Sequence, residues 1–146
     1  MYIHWETKLK IGNDLIDAEH QMLVMLCKKL DYAIKQKATK SHLMRILVEL
    51  KKFTEFHFLS EENLMAEIYY PELAAHEEVH SHLLAQLDVL SRRINIDQTN
   101  PEEVLDFLWR WLSGHIEHDD RKIAEHIRSN ARLTLSQESY NSIFRQ

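Results

Sequence analysis

The sequence predicts an all-α fold, an up-down-up-down antiparallel four-helix bundle, and three observations carry that expectation. Glycine and proline occur only twice each in 146 residues, too few for the many tight turns of a β sandwich or barrel. Four long segments repeat apolar residues at spacings of three and four, the period of one helical face. The links between them are short, which favours antiparallel neighbours. A chain of this length, 45 % apolar, is large enough to bury one core.

The first helix is expected from about Asp17 to Gln36, with Ile16, Leu23, Leu26, Leu30 and Ala33 on one stripe and Asp14 or Asp17 as its cap. The second runs from about Thr39 to Ile68 through Leu43, Ile46, Leu47, Leu50, Phe53, Leu64 and Met65. Pro71 fits a first helical turn but not a helix interior, so it opens the third helix, which continues to about Arg93. A polar link, Asn95 to Thr99, precedes the clearest start: Asn100 as cap, Pro101 at the first helical position and Glu103 three residues after the cap. That fourth helix carries Leu105, Leu108, Trp109, Leu112, Ile116 and Ile123 and ends near Arg128. The bundle thus occupies residues 1–128, with an N-terminal arm over 1–15. Residues 129–146 form a C-terminal extension or connector.

A formal charge of −5 without any basic stripe excludes nucleic acid as a partner. No stretch approaches the apolar run that spans a bilayer, and the first ten residues lack a signal-peptide core, so no membrane and a cytoplasmic location are expected. The single cysteine, Cys27, has apolar neighbours Leu23, Val24, Leu26 and Leu30 and is read as a small buried hydrophobe.

The unusual count is ten histidines. The first helix offers His20; the second, His57 and Glu61; the third, His76 and His80; the fourth, His115 with Asp119 or Asp120. Residues four apart share a helical face. His20, His76 and His80 lie near the starts of their helices, whereas His57, Glu61, His115 and the aspartates lie toward the ends of theirs. In an up-down-up-down bundle those places share one end, within about two turns at 1.5 Å of rise per residue. Any one pair alone reads as solvated surface, but the convergence of all four does not. Five imidazoles and two carboxylates are costly to bury unless coordination offsets the loss of hydration. The mixed donor set suits iron, with zinc, manganese or copper as chemical alternatives, and seven ligands imply two ions.

The residues His57-Phe58-x-x-Glu61-Glu62, Leu64-Met65, Tyr70-Pro71, His76-x-x-x-His80 and Trp111-Leu112-x-x-His115-Ile116 occur in the order of the hemerythrin family, bacterial branch. Ile16-Asp17-x-x-His20 and Trp5 also fit, so the chain resembles that family from about Trp5 to Arg128. The resemblance implies two iron ions with an oxo or hydroxo bridge. His76, His80 and His115 would hold one ion, His20 and His57 the other, and Glu61 and Asp120 would bridge them. The family spacing favours Asp120 over Asp119, which is left to the surface or to accept an imidazole N–H. Dioxygen would bind reversibly, as hydroperoxide, at one open iron position. Leu23, Phe56, Trp111, Leu112 and Ile116 are candidate walls of a dry oxygen pocket.

Such a carrier performs no net chemistry, so no enzymatic activity is expected. The alternative function is sensing of oxygen, nitric oxide or redox state, with a fused or partner signalling domain. A ferritin-like oxidase needs paired Glu-x-x-His motifs, and here only Glu77-x-x-His80 has that spacing. A metal held only for stability leaves the unequal numbers of ligands without a reason.

Overall fold

The computed structural model describes residues 2–130 together with 142–143. The helices are α1 (Asp14–Lys35), α2 (Lys40–Glu67), α3 (Leu73–Asn95) and a fourth in two parts, α4 (Pro101–His115) and α5 (Arg121–Ser129). A π-helical turn, Ile116–Asp120, joins the two parts. In the ring α1–α2–α3–α4, each helix packs on its two neighbours, as the bundle prediction requires. No strand occurs among the described residues, and no helix there is long and apolar enough to cross a membrane. Most of the expected C-terminal extension lies outside the described residues.

The caps explain where the helices start. Thr39 accepts from the backbone N–H of His42, and Asn100 from that of Glu103, satisfying first-turn donors as expected. The Asn100 side-chain amide also donates to Glu103, closing the box from the other side. At α1 the cap is Asn13, not Asp14 or Asp17. Asp17 is occupied otherwise: its carboxylate accepts from the backbone N–H groups of Ile11 (2.7 Å) and Gly12 (3.2 Å). The end of the N-terminal arm is thereby folded onto the first turn of α1. Pro71 lies in the turn before α3 rather than in its first turn.

The helix ends explain how two glycines suffice. Lys37, Tyr69 and Asp97, just beyond α1, α2 and α3, all have positive φ (55°, 53° and 58°). At each, the next N–H returns to the carbonyl five residues back: Ala38 to Ala33, Tyr70 to Met65 and Gln98 to Arg93. These are Schellman ends in which a residue other than glycine takes the left-handed place.

The core has two apolar clusters along the bundle axis. One contains Leu26, Leu30, Leu47, Leu50, Leu87 and Leu105, with Cys27 buried among them. The other contains Ile11, Ile16, Leu64, Met65, Ile68 and Ile123. Each fully buried Leu or Ile contributes about 1.5–3 kcal/mol, so both clusters can offset a polar layer held between them. In chain order that layer replaces the apolar stripe between Ile16 and Leu23, between Thr54 and Leu64, before Leu83, and between Leu112 and Ile123.

Candidate metal centre

The structure brings His20, His57, Glu61, His76, His80, His115 and Asp120 into this layer, and all seven are buried. They fall into two overlapping groups whose facing donor atoms lie within 4.8 Å of one another. His76, His80 and His115 form one group with Glu61 and Asp120; His20 and His57 form the other with the same two carboxylates. Glu61 turns Oε1 to His20 (3.2 Å) and His57 (2.6 Å), and Oε2 to His76 (3.3 Å) and His80 (3.4 Å). Asp120 does likewise, with Oδ2 to His20 (3.2 Å) and Oδ1 to His76 and His115 (both 3.1 Å). Each carboxylate therefore spans the two imidazole groups.

The π-helical turn decides between the two aspartates. On a regular α-helix a residue five places on is rotated by about 140°, and Asp120 would point away from His115. Here the N–H of Arg121 bonds to the carbonyl of Ile116, five residues back, and the widened turn returns Asp120 beneath His115. Asp119 is turned outward, with its side chain 41 % exposed, and reaches back to His115 Nδ1 at 2.8 Å. The i+4 residue thus supports the His115 imidazole from behind, and the i+5 residue enters the cluster.

Four imidazoles are held at Nδ1. His20 faces the Leu9 carbonyl (3.2 Å), His57 the Glu19 carboxylate (2.7 Å), His115 Asp119, and His80 Glu62 at 3.5 Å. A carbonyl or carboxylate only accepts, so Nδ1 carries a proton, and Nε2 is the ring atom left to face the cluster and, once deprotonated, to bind a cation. Ser60 Oγ donates to the second oxygen of Glu19 at 2.9 Å, fixing that carboxylate in turn. His80 Nε2 and His115 Nε2 lie 3.1 Å apart, a contact that requires a proton or a cation between them. Glu61 Oε2, His76 Nε2 and both oxygens of Asp120 are buried, close to partners, yet aligned with none for a hydrogen bond. Cations satisfy all of these atoms at once, so the donor set fits metal.

Electrostatics describe the same cluster without metal. Burial opposes charge on His20, but Asp120 and Glu61 outweigh it and push the imidazole up to about 10. His76 is raised to about 10 against the same opposition and by the same carboxylates. His57 and His115 also move upward despite burial, His57 through Glu61 and Glu19, His115 through Asp120 and Glu61. Burial pushes Glu61 upward, but the imidazoles hold it well below the usual carboxylate range. Asp120 is held low by His115 and His20, against burial and the charge of Glu61. Outside the layer, burial alone pushes the Cys27 thiol up to about 12, so it stays protonated and inert.

The expected pocket walls divide. Leu23, Leu112 and Ile116 are buried, and half-buried Trp111 stacks on His115 with ring centroids 4.5 Å apart. Phe56 is 57 % exposed and lies outside the pocket. The buried stripe of α2 is Thr54, His57, Phe58, Glu61, Leu64 and Met65, which leaves Phe56 on the outer side. Phe58 takes the inner place, its ring parallel to that of His80 at a centroid distance of 3.7 Å. Glu19, Phe58 and the Leu9 carbonyl are the contributors that helical spacing did not find. A buried acid beside His20 was the available signal for Glu19, but its partner is on another helix.

Comparison with known proteins agrees with this geometry. The family described as Hemerythrin HHE cation binding domain matches residues 11–127. The chain is similar to a protein named Bacteriohemerythrin from Clostridium acetobutylicum, 32 % identical over 123 residues, covering 81 % of this chain and 95 % of the relative. Another Bacteriohemerythrin, from Stenotrophomonas maltophilia, is 29 % identical over 126 residues (86 % of this chain, 82 % of the relative). A Hemerythrin-like protein of Naegleria gruberi is 28 % identical over 119 residues, 82 % of this chain and 88 % of its own length.

Proposed function

The chain belongs to the hemerythrin HHE family, and on that footing we propose that it holds two iron ions and binds dioxygen reversibly. In this reading His76, His80 and His115 would hold one iron and His20 and His57 the other, with Glu61 and Asp120 shared between the two groups. The observation that carries the reading is the span of the two carboxylates, each with one oxygen toward either imidazole group. The His20/His57 group has one imidazole fewer, which leaves a coordination position open for ligand. Bound there, an iron pair would supply the two electrons that reversible binding of dioxygen requires.

The chain's own residues do the rest. Glu19 and the Leu9 carbonyl keep the Nε2 atoms of His57 and His20 directed inward. Leu23, Leu112 and Ile116 line the adjoining core and keep water from that side. Phe58 and Trp111 clamp His80 and His115 by stacking, which fixes the rings in the plane that their lone pairs require.

The test is anaerobic reduction of the iron-loaded protein, metal quantified, with an optical spectrum before and after air. Two irons per chain and a charge-transfer band that disappears on degassing are the expected result. Direct passage to a stable diferric spectrum would move the assignment to a redox sensor. Absence of iron would overturn the reading.

A further inference from the structure

His76 differs from the other imidazoles of the cluster. Among the described residues no acceptor reaches its Nδ1, whereas His20, His57, His80 and His115 each face one. A cavity of about 190 Å³ opens beside it, lined by Tyr70, Glu72, Ala75, Val79, Asp119 and Lys122. Behind its ring lie Asp120 Oδ1 at 3.1 Å and Glu61 Oε2 at 3.3 Å, both buried and without a hydrogen bond. Lengthwise approaches are closed, because an apolar cluster covers the layer at either end. A hydrated ion does not cross an apolar core.

We propose that this cavity is the port through which divalent metal ions enter and leave the centre, with His76 as its swinging ligand. The proposal rests on reading the cluster as a metal centre, whichever metal it holds. Glu72 and Asp119 supply carboxylates where a hydrated cation arrives, and Lys122 offsets only one of those two charges. His76 can turn aside without breaking a hydrogen bond at Nδ1. The ion then meets the unpartnered oxygens of Glu61 and Asp120, and His76 closes on it last. The other four imidazoles each face an acceptor at Nδ1, His80 the most distant one.

The decisive experiment follows uptake of Co(II) by the metal-free full chain through its visible absorption, and removal by excess chelator. Ala75→Phe and Val79→Trp fill the cavity from exposed positions on α3, with Ala74→Phe, also exposed, as control. A port alters both rates and leaves the equilibrium alone. Both filling variants should take up and release Co(II) about tenfold more slowly, with Kd within about twofold of the parent. Ala74→Phe should match the parent. Glu72→Gln should slow uptake several-fold at low salt, and the difference should shrink as salt screens it. Unchanged rates in both filling variants, or a weaker Kd with unchanged uptake, would overturn the proposal. A parent that binds fewer than two Co(II) would sink the two-metal reading instead, while the rate comparison would still decide the port.

Discussion

Metal uptake should expel at least two protons per chain at neutral pH, and apparent affinity should rise steeply with pH. Without metal, Glu61 and Asp120 overcome burial and keep His20 and His76 protonated to about pH 10. A metal needs the Nε2 lone pair, so each of those protons must leave. Below that pH each displaced proton raises the apparent binding constant about tenfold per unit, hence about 100-fold for two protons from pH 7 to 8. The same linkage governs folding. An imidazole whose folded value is raised stabilises the fold fully below its unfolded value, 6.5, and that contribution is lost as pH rises toward about 10. Metal-free protein should therefore lose stability steadily as pH rises across that window, on the order of 1 kcal/mol per pH unit for an imidazole titrating there. Loaded protein should be flat there, because its imidazoles are neutral both folded and unfolded. The lowered carboxylates act oppositely: their stabilisation is present above the ordinary carboxylate range and is lost as pH falls through their depressed folded values. Zn(II) calorimetry in two buffers of different ionisation enthalpy counts the protons, and urea melts give the stability slope. Uptake without proton release at pH 7.5, or metal-free stability that climbs from pH 6.5 to 9, would refute the electrostatic account.

Two further substitutions probe the roles assigned around the cluster. Asp120→Ala should lose metal outright, whereas Asp119→Ala should keep the full complement with affinity about 10–100-fold weaker, since only the support of His115 is removed. Metal analysis after gel filtration separates these outcomes, and the reverse pattern would exchange the two aspartates. Glu19→Ala strands the buried Nδ1–H of His57 and frees Ser60, so urea denaturation of the metal-free protein should show a loss of about 1–3 kcal/mol. A change within experimental error would mean that water replaces the carboxylate.

The four helices were legible because their evidence is local: Asn100, Pro101 and Glu103 announce a start by residue type alone. Six of the seven cluster residues were legible because short links fix the helix directions, and the directions fix which ends meet; Asp120 was favoured over Asp119 only by the family spacing. What stayed hidden depends on backbone that departs from the regular period. Asp119 has the better spacing on an ideal wheel, and only the wide turn at Ile116–Asp120 reverses that order. Asp17 has the residue type of a cap, yet its carboxylate is claimed by the returning arm at Ile11 and Gly12. Phe56 and Phe58 flank His57 equally in sequence. The stripe of α2 that carries Glu61 and Met65 takes Phe58, three residues before Glu61, and leaves Phe56 outside.

The support behind the cluster is uneven, and the unevenness divides its tasks. On the His20/His57 side both rings are held by strong acceptors at 3.2 and 2.7 Å, and the surrounding side chains are apolar. A site that admits and releases a neutral ligand needs that rigidity, since any rotation of a ligand imidazole would let water compete. On the other side Glu62 approaches His80 only at 3.5 Å, and no acceptor among the described residues reaches His76 Nδ1. Looseness there would not disturb the proposed open position, because His115, held by Asp119 and Trp111, still anchors that group. A fully rigid shell would hold the metal well but would admit it only when the bundle opened. On the proposed port, one imidazole without an acceptor at the cavity would let the metal exchange while the proposed ligand pocket stayed closed.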